Sequence, residues 1–316
     1  MVNNERPLFT IGIPVFNRLD FFKTALKSVL NQSFQNFEVV IVDDFSTDGT
    51  REYLKTLQDP RIKIFNNEYN VGIIPNWRHC IEKANGTWFK FLMSDDVMFK
   101  DSLYILNGLI RKFPENFVIV TNGIGFRDDV EIKYYLEIEN RIIPDVDQYL
   151  RPMGKIIYER KRFNQTWAMP NSYTLLTKDL KELIGTGNYK DVERNLGKTG
   201  HCVDYFILYS IALKYKTMLE MNVPLYGVRY HESNLSKIYS QNLLYHLNGD
   251  KYIHYMLYDY KGVEQFYIVR HAFRVYFHKI RNKKEILTFA FVKKAFQLAI
   301  FLFQHLFGIN NKPRFG

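Results

Sequence analysis

Phe37-Glu38-Val39-Val40-Ile41-Val42 is a nearly continuous apolar, β-branched run that stops at Asp43-Asp44. A strand that is apolar on both faces suits a parallel sheet covered by helices. The segments around it repeat the theme. Upstream, Leu8-Phe9-Thr10-Ile11-Gly12-Ile13-Pro14-Val15 is a short apolar run ended by Asn17-Arg18. Leu19, Phe22, Leu26, Val29 and Leu30 then follow at helical spacing. Downstream, Ser46-Thr47-Asp48-Gly49-Thr50 is a polar turn, with Asp48 placed to cap a helix reaching Leu57. The pattern then predicts a strand over 61–65, a turn at Asn70-Val71-Gly72 and a helix over 75–84 stopped by Gly86. Next come a strand over 88–93 that runs into Ser94-Asp95-Asp96, a helix over 102–112 and a strand over 117–120. Four βα units in a row predict an α/β fold: a doubly wound, mostly parallel sheet with helices on both faces. In such sheets ligands bind at the carboxyl ends of the strands. Asp43-Asp44 and Asp95-Asp96 both fall there.

The rest of the chain is less regular. From 127 to 165 charged and aromatic residues follow one another without a period. A helix is predicted over 204–219 and a last strand over 224–231, and beyond 240 the chain reads as helical and rich in Tyr and Phe.

The 316 residues are 47% hydrophobic and 24% charged, the balance of a folded globular protein rather than a disordered one. Cys80 and Cys202 are too few for a disulfide framework, and the N-terminus lacks a signal-peptide pattern, so a cytoplasmic location is expected. The net charge of +10 is concentrated in the second half, while the first half is slightly acidic. Over 286–308, Lys293, Lys294, Gln297, Gln304 and His305 share one helical arc beside an otherwise apolar surface. That pattern predicts a helix lying on an anionic membrane surface rather than spanning it. The basic excess clusters beside this apolar segment instead of tracking an aromatic groove, so no nucleic-acid partner is expected.

Two adjacent carboxylates at a strand end, Asp95-Asp96, repel each other unless a cation or donor groups compensate. A hard divalent ion, Mn²⁺ or Mg²⁺, would do so and could also bridge the oxygens of a diphosphate. Asp44 could accept from a base imide or a ribose hydroxyl. Neither Gly-x-Gly-x-x-Gly nor a P-loop is present, which excludes the usual dinucleotide and P-loop sites. Trp167, Met169 and Tyr173 flank Pro170-Asn171-Ser172, and Trp167 could stack on an acceptor sugar.

Five short motifs in order carry a resemblance. They are Ile13-Pro14-Val15-Phe16-Asn17-Arg18, Val42-Asp43-Asp44-Phe45-Ser46-Thr47-Asp48-Gly49-Thr50, Asn70-Val71-Gly72, Ala84-Asn85-Gly86-Thr87-Trp88 and Ser94-Asp95-Asp96. Together they resemble glycosyltransferase family 2, whose members have the GT-A fold and invert the anomeric centre. Val203-Asp204-Tyr205-Phe206 is similar to the family's acidic segment at a helix head, and Arg229-Tyr230-His231 to its closing Arg-x-His motif. The resemblance implies that Asp44 holds the base and Asp95 the ribose or a metal. It implies Asp96, Asp95 and His231 on the metal, Arg229 on the diphosphate side and Asp204 as general base. Met93, Val203 and Trp77-Arg78 depart from the commoner family residues.

The expected organisation is a catalytic domain over 1–240 and a basic helical extension over 241–316. The catalytic domain divides into a nucleotide-binding half, about 1–125, and an acceptor-binding half, about 126–240. The expected activity is transfer from a nucleotide-sugar donor, UDP-linked, to a polysaccharide or lipid-linked glycan acceptor. Its rivals are a non-catalytic glycan-binding subunit at the membrane and a sugar nucleotidyltransferase. The nucleotidyltransferase would need a Gly-rich basic loop after the first strand, and Pro14-Val15-Phe16-Asn17 is not one.

Overall fold

The computed structural model of the chain describes residues 6–127, 150–152, 169–196, 203–215 and 217–234. The elements are β1 (Phe9–Val15), α1 (Leu19–Leu30), β2 (Phe37–Asp43), α2 (Thr50–Leu54), β3 (Ile62–Asn66) and α3 (Ile73–Lys83). They continue with β4 (Trp88–Phe91), β5 (Val97–Met98), α4 (Ser102–Lys112), β6 (Val118–Phe126) and β7 (Leu150–Pro152). After a 3₁₀ turn at Pro170–Ser172 come β8 (Tyr173–Leu176), α5 (Thr177–Ile184), α6 (Gly187–Leu196), α7 (Val203–Tyr215) and β9 (Thr217–Arg229).

All nine strands form one sheet in the order β3-β2-β1-β4-β8-β6-β9-β5, with β7 pairing β9. Strands β1, β2, β3, β4, β6 and β9 run one way, and β5, β7 and β8 run against them. The sheet is therefore mostly parallel, as its β-branched runs predict. Its winding divides the helices. The chain steps outward through β1, β2 and β3, then α3 carries it back to β4 on the far side of β1. With right-handed crossovers, α3 must lie on the face opposite α1 and α2. The packing agrees. Phe9, Ile11, Ile13 and Val15 of β1 share a core with Phe22, Ala25, Leu26 and Val29 of α1. On the other face a Cβ at Gly12 would lie 3.4 Å from Cys80 Cβ of α3.

Gly86 shows how closely these layers meet. A Cβ there would lie 2.5 Å from both Phe9 C and Thr10 N of β1. Its N–H donates to Thr10 Oγ1 at 2.8 Å and to Glu38 Oε1 at 3.1 Å. Burial alone would raise the Glu38 carboxyl, but hydrogen bonds from Lys63, Thr10 and Asn85 outweigh it and hold it below its ordinary value. Gly86→Ala is expected to destabilise the fold by about 1–3 kcal/mol, the range for overpacking. A urea titration reads this as a lower midpoint with an unchanged slope, and an unmoved midpoint would refute it.

Several boundaries differ from the sequence pattern. The helix predicted over 204–219 ends at Tyr215, and the strand predicted over 224–231 is the second part of β9. Met218, Leu219 and Met221 suit either period, and pairing with β6 decides for strand. Helix α3 begins at Ile73, two residues before Pro75, because proline is tolerated in a helix's first turn. Helix α2 is one short turn with Gly49, at φ +94°, in the capping position. Asp48 instead accepts from Thr50 N at 3.1 Å and from Leu19 N at 2.9 Å, so it ties the start of α1 to this turn. Strand β8 and helices α5 and α6 occupy a stretch where the pattern predicts no element.

Among the described residues no helix is long and apolar enough to cross a membrane. The expected C-terminal helices, amphipathic face and membrane contact fall outside the described residues. So do Trp167, Cys202 and nearly all of the aperiodic stretch 127–165.

Candidate active site

The carboxyl ends of β1, β2 and β4 converge because β1 is flanked by the other two. At the end of β2, Asp44 is buried. Its Oδ1 accepts from Asn67 Nδ2 at 2.9 Å and Val71 N at 2.8 Å, and its Oδ2 from Gly72 N at 3.0 Å. The motif Asn70-Val71-Gly72 is thus the loop that Asp44 grips. Next to Asp44 stands Phe45 at φ +67°, and across from it Asn17 at φ +49°. A bulky side chain in the left-handed region costs about 1–3 kcal/mol and tends to mark functional sites. Phe45 is exposed here, as is Phe16 at the end of β1. The strained turn is braced by Asn17 N donating to Ser46 Oγ at 2.9 Å and Thr47 N donating to Asn17 Oδ1 at 2.8 Å.

Beyond β4 the Asp95-Asp96 pair meets the end of β9, more than 130 residues later. His231 Nε2 lies 3.0 Å from Asp95 Oδ2. Arg229 N donates to Asp96 Oδ1 at 2.9 Å, and Arg229 Nε to the Asp95 carbonyl at 3.1 Å. The Arg229 guanidinium is buried between the rings of Phe21 and Phe126, 4.8 and 4.6 Å from their centroids. The residues after β9 are latched by Arg18, which donates to Ser233 Oγ at 2.6 Å and Ser233 O at 2.9 Å. Burial, and then the charge of Asp95, push the Asp96 carboxyl well above the usual carboxylate range, and the bonds from Arg229 N and Asn171 only partly offset this.

Asn171 is the residue that sequence reasoning missed. Its Nδ2 donates to Asp96 Oδ2 and its Oδ1 accepts from Met93 N at 2.8 Å, so its amide spans the whole turn that carries the Asp pair. Pro170-Asn171-Ser172 stands out in the sequence, but nothing there indicates that β8 inserts beside β4 and delivers it.

Asp204 lies in the first turn of α7 and is partly exposed. Burial, and then the charge of Asp204, hold the Tyr173 phenol well above its ordinary value. The structure thus brings Asp95, Asp96, Arg229 and His231 together, places Asp44 one strand beyond β1, and has Asp204 in the first turn of α7 with its charge bearing on Tyr173. Trp167 lies outside the described residues.

Comparison with known proteins follows this geometry. The profile of the family described as Glycosyl transferase family 2 matches residues 10–183. The chain is 30% identical over 175 residues to a Campylobacter jejuni GalNAc(5)-diNAcBac-PP-undecaprenol beta-1,3-glucosyltransferase, covering 50% of this chain and 55% of that protein. It is 24% identical over 240 residues to glycosyltransferase GlyA of Streptococcus pneumoniae, covering 75% of this chain and 33% of that protein. The chain thus spans about half or less of the length of these relatives. Among solved structures, residues 1–349 of S. aureus TarS superpose with a TM-score of 0.64 at 17% identity, covering 94% of this chain and 80% of that one. TarS in complex with UDP-GlcNAc superposes with a TM-score of 0.63 at 15% identity, covering 94% and 81%.

Proposed function

Because the chain belongs to glycosyltransferase family 2, we propose that it transfers a sugar, with inversion, from a UDP-sugar to a glycan or lipid-linked acceptor in surface-glycan synthesis. The observation that carries this reading is the meeting of Asp95 and Asp96 with Arg229 and His231 beside Asp44 and two exposed aromatic rings. The UDP-GlcNAc complex of TarS supports the donor class. The name of the Campylobacter jejuni relative supports a lipid-linked acceptor.

The chemistry follows from charge. As the glycosidic bond breaks, negative charge collects on the departing diphosphate, and positive groups aimed there lower the barrier. The Arg229 guanidinium, set behind Asp95, supplies part of that charge. Asp44 and its neighbouring loop hold the base, with Phe16 and Phe45 offering flat apolar faces. On the opposite side Asp204 takes the proton from the attacking acceptor hydroxyl.

A divalent ion fits this site. Among the described residues no three His, Cys, Asp or Glu side chains enclose one unaided. Ions such as Mg²⁺ are commonly held by one or two carboxylates together with substrate phosphates rather than by an all-protein cage. Asp95 and His231 present an oxygen and a nitrogen side by side, and a cation there would relieve the repulsion between the Asp95 and Asp96 carboxylates. The ion would supply positive charge at the diphosphate oxygens. The expected result is that EDTA abolishes both UDP binding and transfer, and that Mn²⁺ or Mg²⁺ restores them. Undiminished transfer in EDTA would remove the metal from the proposal. Failure to bind UDP in Mn²⁺ would remove the donor.

A further inference from the structure

Lys90 lies in the middle of β4, in register with Ile11 and on the face that packs toward α1, and is wholly buried. Its ammonium donates to the carbonyl of Asn171 and lies 5.5 Å from the centroid of the Tyr226 ring. Among the described residues no carboxylate is paired with it, and burial pulls it down to about 7. Placing an amine here is energetically poor. A buried lysine without a counter-charge loses its hydration and gains one acceptor, whereas an apolar chain of similar length would fill the same space without that cost. Where a local choice works against stability, a functional constraint is the usual reason.

The contacts of Asn171 show what the constraint is. The 3₁₀ turn that carries it has no long element of its own to hold it. The Lys90 ammonium binds its main-chain oxygen, while its side-chain amide spans Met93 N and Asp96 Oδ2. An amide so placed can present its N–H to Asp96 in one orientation only, because Met93 N requires the oxygen on the other side. We propose that Lys90 is a positioning residue for the donor site: by fixing Asn171 it holds Asp96 in the orientation that donor binding requires. The proposal rests on the reading of Asp95 and Asp96 as the diphosphate side of a UDP-sugar site.

The test separates stability from binding. Lys90→Met removes the ammonium and keeps the packing, and UDP affinity is measured by calorimetry in Mn²⁺ beside thermal melting. The expected result is a melting temperature no lower than the parent's with UDP affinity reduced at least about tenfold, as for partners that orient metal-site groups. Asn171→Ala is expected to lose a similar factor. The double variant should lose no more than the weaker-binding single variant, because both changes release the same group. Parent-like UDP affinity in Lys90→Met overturns the proposal. So do losses that multiply in the double variant, or a lowered melting temperature with affinity intact. If Lys90→Met does not fold, Asn171→Ala decides, and parent-like affinity there overturns the proposal equally. A parent protein that fails to bind UDP fails differently: the donor reading falls and takes this proposal with it.

Discussion

Asp204→Asn is expected to slow sugar transfer by about 10²–10⁴-fold, the range for loss of a positioned proton acceptor, while UDP affinity stays within a few-fold. The argument depends on what asparagine keeps. It has nearly the same size as aspartate and serves a helix start almost as well, so α7 should form as before. It cannot accept the acceptor's proton. Asp204 lies in the first turn of α7 and its charge bears on Tyr173. The measurement is a transfer assay together with UDP titration of the same preparations. Near-normal turnover would reduce Asp204 to a helix-start residue. Parallel loss of UDP binding would place it on the nucleotide side of the site.

The second large effect is expected from Asp96→Ala. It should weaken UDP binding in Mn²⁺ by about 10²-fold, the upper end for damage to the surroundings of a metal, and turnover should fall with it. Asp96 is tied by Arg229 N and Asn171. Truncation leaves both donors without their acceptor, which costs about 1–3 kcal/mol of stability. A urea titration must therefore accompany the binding measurement. Asp95→Ala separates the two effects, because its carboxylate is one-fifth exposed and meets His231 at the surface of the site. Asp95→Ala should weaken UDP binding with little change in the urea midpoint. Parent-like UDP affinity in both variants would refute a role for the pair in donor binding.

The first half of the fold is legible in the sequence because its strands are long, β-branched and apolar on both faces, as β2 shows. The order of the Asp pairs along those strands makes the candidate site legible too. What escapes is short or tertiary in origin. Strand β5 has two residues and β8 four, too few for any period to register. Strand β9 begins where helical and extended periods coincide, and only its pairing with β6 resolves them. Asn171 and Lys90 escape for a related reason. Their roles depend on β8 lying against β4, a neighbour relation that no local pattern encodes. Asp48 is partly legible: its place at a turn is plain, but its bond to Leu19, 29 residues away, is not.

The insertion of β8 between β4 and β6 also orders events during synthesis. Strands β4 and β6 emerge within about one helical hairpin of each other, yet neither can complete its pairing until Tyr173–Leu176 arrives. A nascent chain that stops short of Tyr173 leaves one edge of β4 and both edges of β6 unpaired, the feature that invites contact with other chains. Residues 6–127 therefore form a strongly parallel nucleus without a closed sheet. Non-local pairing of this kind is slow, because the chain must first lose the entropy of a long loop. The candidate site is completed later still, when Arg229 and His231 reach Asp96 and Asp95. Ribosome-bound intermediates of this chain thus pass through a window in which they are structured, sticky and without a finished binding site, and that is the stage at which a chaperone would matter most.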